Sequence, residues 1–295
     1  MNRGGIPTAN LESIIAQKNQ NDEQWKAQKQ YERENAVAMQ DAGIVEITTN
    51  PQSYLKYLEL QGDNPGYSAG NIALAMVQNP DITQFATKDR WKNLGRTVAE
   101  LEVNRGVKIF ARSSFGKGYT LMDAYDVTQT FGREQRQFQL TDNSRNMESA
   151  LSTLLNYSVV PVVVDRQLHS PAYYDAHKME LAICPDYPDS AAFPAIATEI
   201  AHARFHAKGA NFDYTRGDCD LDAQSVSFIL CRRFGIETEV PDLSNLSGLY
   251  EDWTPQERRG ALDCIQDMSK QIGGSIERSI APQQRARTKP ARQTR

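Results

Sequence analysis

Histidine and cysteine are scarce in this chain, with four of each among 295 residues. The cysteines (Cys184, Cys219, Cys231 and Cys264) are scattered and form no C-x-x-C pair. That spacing argues against a Cys-based zinc site and a disulfide framework, and fits reduced thiols in a cytoplasm. Long apolar runs are missing too. The stretch Val159-Val160-Pro161-Val162-Val163-Val164 is as long as they get, far below the roughly 20 residues that cross a bilayer, so no membrane partner is expected. No apolar segment follows Met1-Asn2-Arg3-Gly4-Gly5, so no secretory signal is expected and the predicted location is cytoplasmic. A Gly-rich phosphate loop is absent: Gly116-Lys117-Gly118 is short and precedes a strand pattern, which reads as a hairpin turn. The histidines have no nucleophile motif beside them, so no Ser/His/Asp or Cys/His arrangement can be argued.

What is present describes a folded chain. Apolar residues make up 40% and charged residues 24%, enough for one large or two ordinary domains with cores of their own. The net charge of −4 is unevenly spread. Lys88 to Arg136 holds ten Lys and Arg against six Asp and Glu, whereas residues 137–280 carry a surplus of about nine negative charges. Residues 281–295 hold five basic residues and no acid. Either these are two surfaces with different partners, or this is ordinary surface variation.

Residues 8–40 are rich in Gln, Asn, Glu and Lys with thinly spaced apolar residues, which predicts a polar helix that docks weakly or stays mobile. Asn50-Pro51 opens a helix over 52–60, with Asn as N-cap and Pro in the first turn. A short apolar helix over 71–77 ends before Asn79-Pro80, and Thr87 caps another that carries Trp91 and stops at Gly95. Residues 107–111 and 119–127 read as paired strands. Beyond a polar stretch over 133–144 come a helix (147–155), a buried strand (159–164), a second strand (179–184), and helices over 191–207 and 220–234, the last ended by Gly235. Thr254-Pro255-Gln256-Glu257 is a capping box opening the final helix. The tail from Pro282 is expected to be disordered.

Two stretches carry chemistry. In Thr198-Glu199-Ile200-Ala201-His202-Ala203-Arg204-Phe205-His206, the histidines are four apart and share a helical face, the geometry for gripping one metal ion. Glu199, one turn before His202, stands where a general base would take a proton from metal-bound water. Asp218, Asp220 and Asp222 open the next helix and offer a carboxylate ligand. Exposed helix histidines and aspartates that favour a helix N-terminus would give the same pattern. The second stretch, Tyr67 to Arg136, interleaves aromatics (Tyr67, Phe85, Trp91, Phe110, Phe115, Tyr119) with bases (Lys88, Arg90, Lys92, Arg96, Lys108, Arg112, Lys117). Single-stranded nucleic acid is held this way, by stacking and phosphate contact. A core of aromatics beneath a solvated basic face is the other reading.

Several motifs in order resemble a known family. Tyr67-Ser68-x-x-Asn71, Gln78-x-Pro80-x-x-Thr83, Trp91-x-x-x-Gly95-Arg96-x-Val98, Gly106-Val107-x-Ile109 and Asp126-Val127-Thr128-Gln129-Thr130 resemble the single-stranded-DNA-binding domain of ArdC-type antirestriction proteins and, more closely, their LtrC-like relatives from conjugative elements. The resemblance covers roughly residues 50–280. It implies an α+β fold of two domains, the second a zincin-like metallopeptidase: a polar helical segment (1–49), an ssDNA-binding domain (50–140), a zincin-like domain (145–280) and a basic disordered tail (281–295). It implies DNA contacts at Tyr67, Asn71, Gln78, Trp91, Arg96 and Lys108.

The family's H-E-x-x-H reads Thr198-Glu199-Ile200-Ala201-His202 here. Glu199 and His202 match the base and second ligand, but Thr198 is a poor replacement for the first, and Asp220 stands at the third-ligand position. Either peptidase chemistry is impaired, with zinc weak or absent, or the ion has moved to His202, His206 and Asp220. The expected function is therefore that of a DNA-binding, antirestriction-like accessory of a mobile element acting on single-stranded DNA. Alternatives are an active zinc metallopeptidase on the shifted ligands, with a peptide or protein partner, and a protein-interaction scaffold.

Overall fold

Helices α1 (Leu11–Thr49), α2 (Pro51–Asp63) and α3 (Ala69–Gln78) come first in the computed structural model, which describes residues 10–112, 118–135, 137–207 and 214–287. Asn50 both ends α1 and caps α2, its side chain accepting from the backbone N–H of Gln52 and Ser53, as Asn-Pro predicts. The polar first half of α1 is exposed, and burial begins only at Ala36. From there Ile44 and Ile47 dock on α2 and α3.

The strands β1 (Phe85–Thr87), β3 (Val107–Arg112) and β4 (Tyr119–Asp126) form an antiparallel sheet in the order β1-β4-β3, with Val107 opposite Ala124 and Arg112 opposite Tyr119. The expected hairpin pairing is present, although its turn at 113–117 lies outside the described residues. Helix α4 (Lys88–Asn93), capped by Thr87, leads through Gly95 into β2 (Arg96–Val98), which pairs with β5 (Thr130–Gly132). Trp91, Ala86, Val98 and Tyr125 make a small separate core there.

Helix α5 (Arg145–Leu155) precedes a second sheet in the order β6-β8-β7: β6 (Val162–Val164) runs parallel to β8 (Glu180–Ile183), and β7 (Ala172–Asp175) runs antiparallel to it. The apolar run expected as a buried strand is instead an exposed edge. Val164 is 71% accessible because only β8 flanks this strand. Strand β7 was not anticipated. Helices α6 (Asp189–Ala207) and α7 (Arg216–Phe234) pack together, α7 ending at Gly235 in the left-handed region (φ 65°). The short α8 (Leu246–Leu249) leads to α9 (Pro255–Arg287), opened by the Thr254–Glu257 capping box. α9 runs on to Arg287, past the point where disorder was expected at Pro282, and the rest of the basic tail, 288–295, lies outside the described residues.

The fold is thus mixed α+β, as expected. Its main core is continuous from Ile44 to Ile280 and draws on both halves of the chain. Helix α2 lies on α7, where the Tyr54 and Ser225 hydroxyls meet at 2.9 Å, and the Tyr57 hydroxyl donates to the Leu262 carbonyl on α9. Close approach there requires Gly62, since a Cβ would come within 2.7 Å of Arg232 Cγ. Arg232 in turn pairs with Asp63.

Candidate functional site

The six residues of the nucleic-acid reading fall into two groups. Asn71 and Gln78 face the open edge of β3. Asn71 donates to the Phe110 carbonyl at 2.9 Å and accepts from the Phe110 N–H at 2.8 Å. Gln78 does the same to Lys108, at 2.8 Å each way. Trp91 is buried, with its indole N–H on the Tyr125 carbonyl. Arg96 lies over the Trp91 ring and donates to Thr130 Oγ1 and to the carbonyls of Thr130, Val127 and Arg133, tying β2 to β5. Tyr67 stacks on Phe85, half-buried, with the Arg90 guanidinium also near its ring. Lys108 is exposed and paired with Asp123 at 2.7 Å.

The reading from sequence missed Phe131. It is 62% accessible at the outer side of β5, opposite exposed Thr97, and exposed Arg133 follows two residues on, just past the end of the strand. Lys88, Arg90 and Lys92 of neighbouring α4 are exposed, and Leu94 is exposed at its end. Among the described residues, none of Lys88, Arg90, Lys92, Arg96 and Arg133 is paired with a carboxylate. An alternating strand with one outward aromatic next to unpaired bases is the signal that could have pointed to it.

In the second half, α6, α7 and β7 converge on Glu199. This carboxylate is 6% accessible, accepts from the Tyr174 backbone N–H at 2.8 Å, and is gripped by both arms of Arg216 (Nη1–Oε2 3.0 Å, Nη2–Oε1 2.5 Å). Arg216 is the first residue of α7, pinned by its Thr215 cap, and its guanidinium lies over the Tyr173 ring. His202 is fully buried, with Nδ1 3.0 Å from the Tyr214 hydroxyl. Asp220 Oδ1 comes within 3.0 Å of His202 Nε2, but off the direction a hydrogen bond needs, which leaves that nitrogen unsatisfied. Burial, then the positive charge of Arg216, hold the His202 pKa below its usual value despite Glu199 and Asp220.

His206 points elsewhere. Its Nδ1 is 2.7 Å from the Tyr174 hydroxyl and its ring stacks on Tyr214. Thr198 donates its hydroxyl to the Pro194 carbonyl one turn back, at 3.0 Å. A catalytic ion needs three good ligands and an open position, and the described residues do not fit one. Thr198 is turned onto the backbone, and Glu199 is held by an arginine that also stands 3.7 Å from Asp220. Among the described residues no group of three or more His, Cys, Asp and Glu is arranged to hold a metal. Tyr174, Tyr214 and Arg216 were missed from sequence, because a single basic residue opening a helix carries no spacing signal.

No family model matches the chain, and no curated protein does. The solved structures similar to it include two of the antirestriction protein ArdC from plasmid R388. The metal-free structure is 12% identical with a TM-score of 0.41, covering 73% of this chain and 86% of that one. The Mn(II)-bound structure is 13% identical with a TM-score of 0.44, covering 74% and 88%.

Proposed function

We propose that this chain binds single-stranded DNA through the face around Phe131, as an antirestriction-like accessory of a mobile element whose peptidase-like half is chemically impaired. The observation that carries the DNA reading is one exposed aromatic among bases that have no carboxylate partner among the described residues. An unpaired guanidinium or ammonium gains most from a phosphate, because binding breaks no internal ion pair. Phe131 supplies a ring on which a base of any identity can stack, worth about 1–3 kcal/mol. The sequence motifs that resemble the ArdC-type family support the same reading. Impairment is supported by Thr198, whose hydroxyl is committed to Pro194, and by Glu199, whose carboxylate is committed to Arg216.

Titration of a labelled oligonucleotide by fluorescence anisotropy tests it. Phe131→Ala with Arg133→Glu and Lys92→Glu should leave melting almost unchanged, since all three are exposed, and weaken binding by about tenfold or more. Wild-type affinity should fall steeply with salt, with a log–log slope of about 0.7 per phosphate contacted. A folded triple variant that binds as tightly as wild type overturns the proposal.

A further inference from the structure

The unsatisfied Nε2 of fully buried His202 lies 3.0 Å from Asp220 Oδ1, and two carboxylates, Asp220 and Glu199 one turn earlier on α6, meet at this cleft, a place that calls for a cation. One is already there. The guanidinium of Arg216 forks onto Glu199 and approaches Asp220 at 3.7 Å, with the Tyr173 ring over its face. We propose that Arg216 is the resident cation of this cleft, occupying with its own guanidinium the place a divalent ion would need, so that the site excludes metal through a side chain on α7 as well as through the loss of a ligand at Thr198.

Charge balance makes the case. With Arg216 in place, two carboxylates face one guanidinium beside the His202 ring. Adding a divalent ion would leave a positive surplus a few ångströms from the arginine, beside the buried Glu199 and His202. Without Arg216, the same two carboxylates balance a divalent ion and His202 Nε2 gains the partner it lacks. Geometry fixes the arginine in place: it opens α7 behind the Thr215 cap, and its contacts tie α6 through Glu199 and β7 through Tyr173. A bidentate arginine–carboxylate pair is among the stronger charge-assisted contacts, and breaking it would leave Glu199 buried and unpaired. Thr198→His alone, the change that rebuilds H-E-x-x-H on paper, therefore leaves the obstacle in place.

The test uses the full chain with zinc chloride and manganese chloride, reading bound metal per chain after dialysis and affinity by isothermal titration calorimetry. It contains no nucleic acid, so its outcome is independent of the DNA reading. Wild type and Thr198→His should each retain no stoichiometric metal. Thr198→His with Arg216→Ala should bind one ion per chain at least about tenfold more tightly than Thr198→His, the effect of removing a like charge at close range. Adding His202→Ala should abolish that binding. If Arg216→Ala does not fold, Arg216→Gln in the same background removes the charge and keeps a hydrogen-bonding arm. Stoichiometric metal in wild type that is lost with His202→Ala overturns the proposal. So does Thr198→His binding zinc as tightly as the folded double variant.

Discussion

Asn71 and Gln78 sit seven residues apart on α3 and present their carboxamides to the same strand edge, two rungs apart, each matching a donor and an acceptor of β3. A side-chain amide carries the same N–H and C=O pair as a backbone amide, so together they continue the β-ladder where the sheet would otherwise end. Asn71→Ala should destabilise the protein by about 2 kcal/mol, because Asn71 is buried and the Phe110 groups would lose their partners. Gln78→Ala should cost about 1 kcal/mol or less, since water can replace it. Asn71→Asp should be the most damaging of the three, as a carboxylate would face the Phe110 carbonyl. Urea unfolding checks the order.

Arg96 separates structure from binding. Its donors hold four atoms of the β2–β5 region, so Arg96→Ala should cost about 1–3 kcal/mol in chemical denaturation. Lys92→Ala, on the exposed face of α4, should stay within about 0.5 kcal/mol. Equal melting temperatures for the two variants would contradict this assignment.

Gly132 has φ 129°, and a Cβ there would lie 2.5 Å from the Gly95 carbonyl oxygen. Gly132→Ala therefore meets both backbone strain and a backbone clash, and should destabilise by about 2 kcal/mol or more. The expected signature is lost protection of the β2–β5 amides in hydrogen exchange ahead of the main core.

Burial raises the Asp222 carboxyl to about 7 in the neighbourhood of Tyr54, Tyr57 and Tyr250, whose phenols are raised by burial first and by Asp222 as a further cause. The folded state thus holds this proton more tightly than the unfolded chain, so stability falls as pH rises from about 4 through about 7 and levels off above. The whole shift would be worth about 4 kcal/mol; Asp222 keeps partial solvent contact, so about 2 kcal/mol is expected. Asp222→Asn should stabilise the protein by that amount at pH 8 and by nothing at pH 4. Denaturation at both values decides it, and an equal effect at the two pH values would rule it out.

Local signals in the sequence were sufficient for much of this architecture. Asn50, Thr87 and Thr254–Glu257 mark helix starts because their side chains satisfy particular backbone donors nearby, and Gly235 marks an end because its φ suits glycine. Long-range choices were less legible. The valine run reads as buried from its composition, yet composition does not say which strand lies at a sheet edge. Asn71 and Gln78 drew attention as recognition residues, and their two-turn spacing does place them on one face. What that face meets depends on β3, some 30 to 39 residues away. The cleft was half visible: Glu199, His202 and Asp220 do come together, whereas His206 turns to Tyr174, and the arginine among them follows from where α7 begins.

The continuous core has a practical meaning for anyone cutting this chain in two. The polar stretch near residues 133–144 invites a protease or a designed truncation, yet Tyr54, Tyr57 and Leu58 of α2 rest on α7 and α9, far beyond any such cut. A fragment holding only the cleft would leave Ser225, Ile229 and Arg232 facing water where α2 had been, and one holding only the basic face would bare the other side of the same seam. Nicked halves should stay together on a sizing column, melt as a unit, and part only when the whole molecule unfolds.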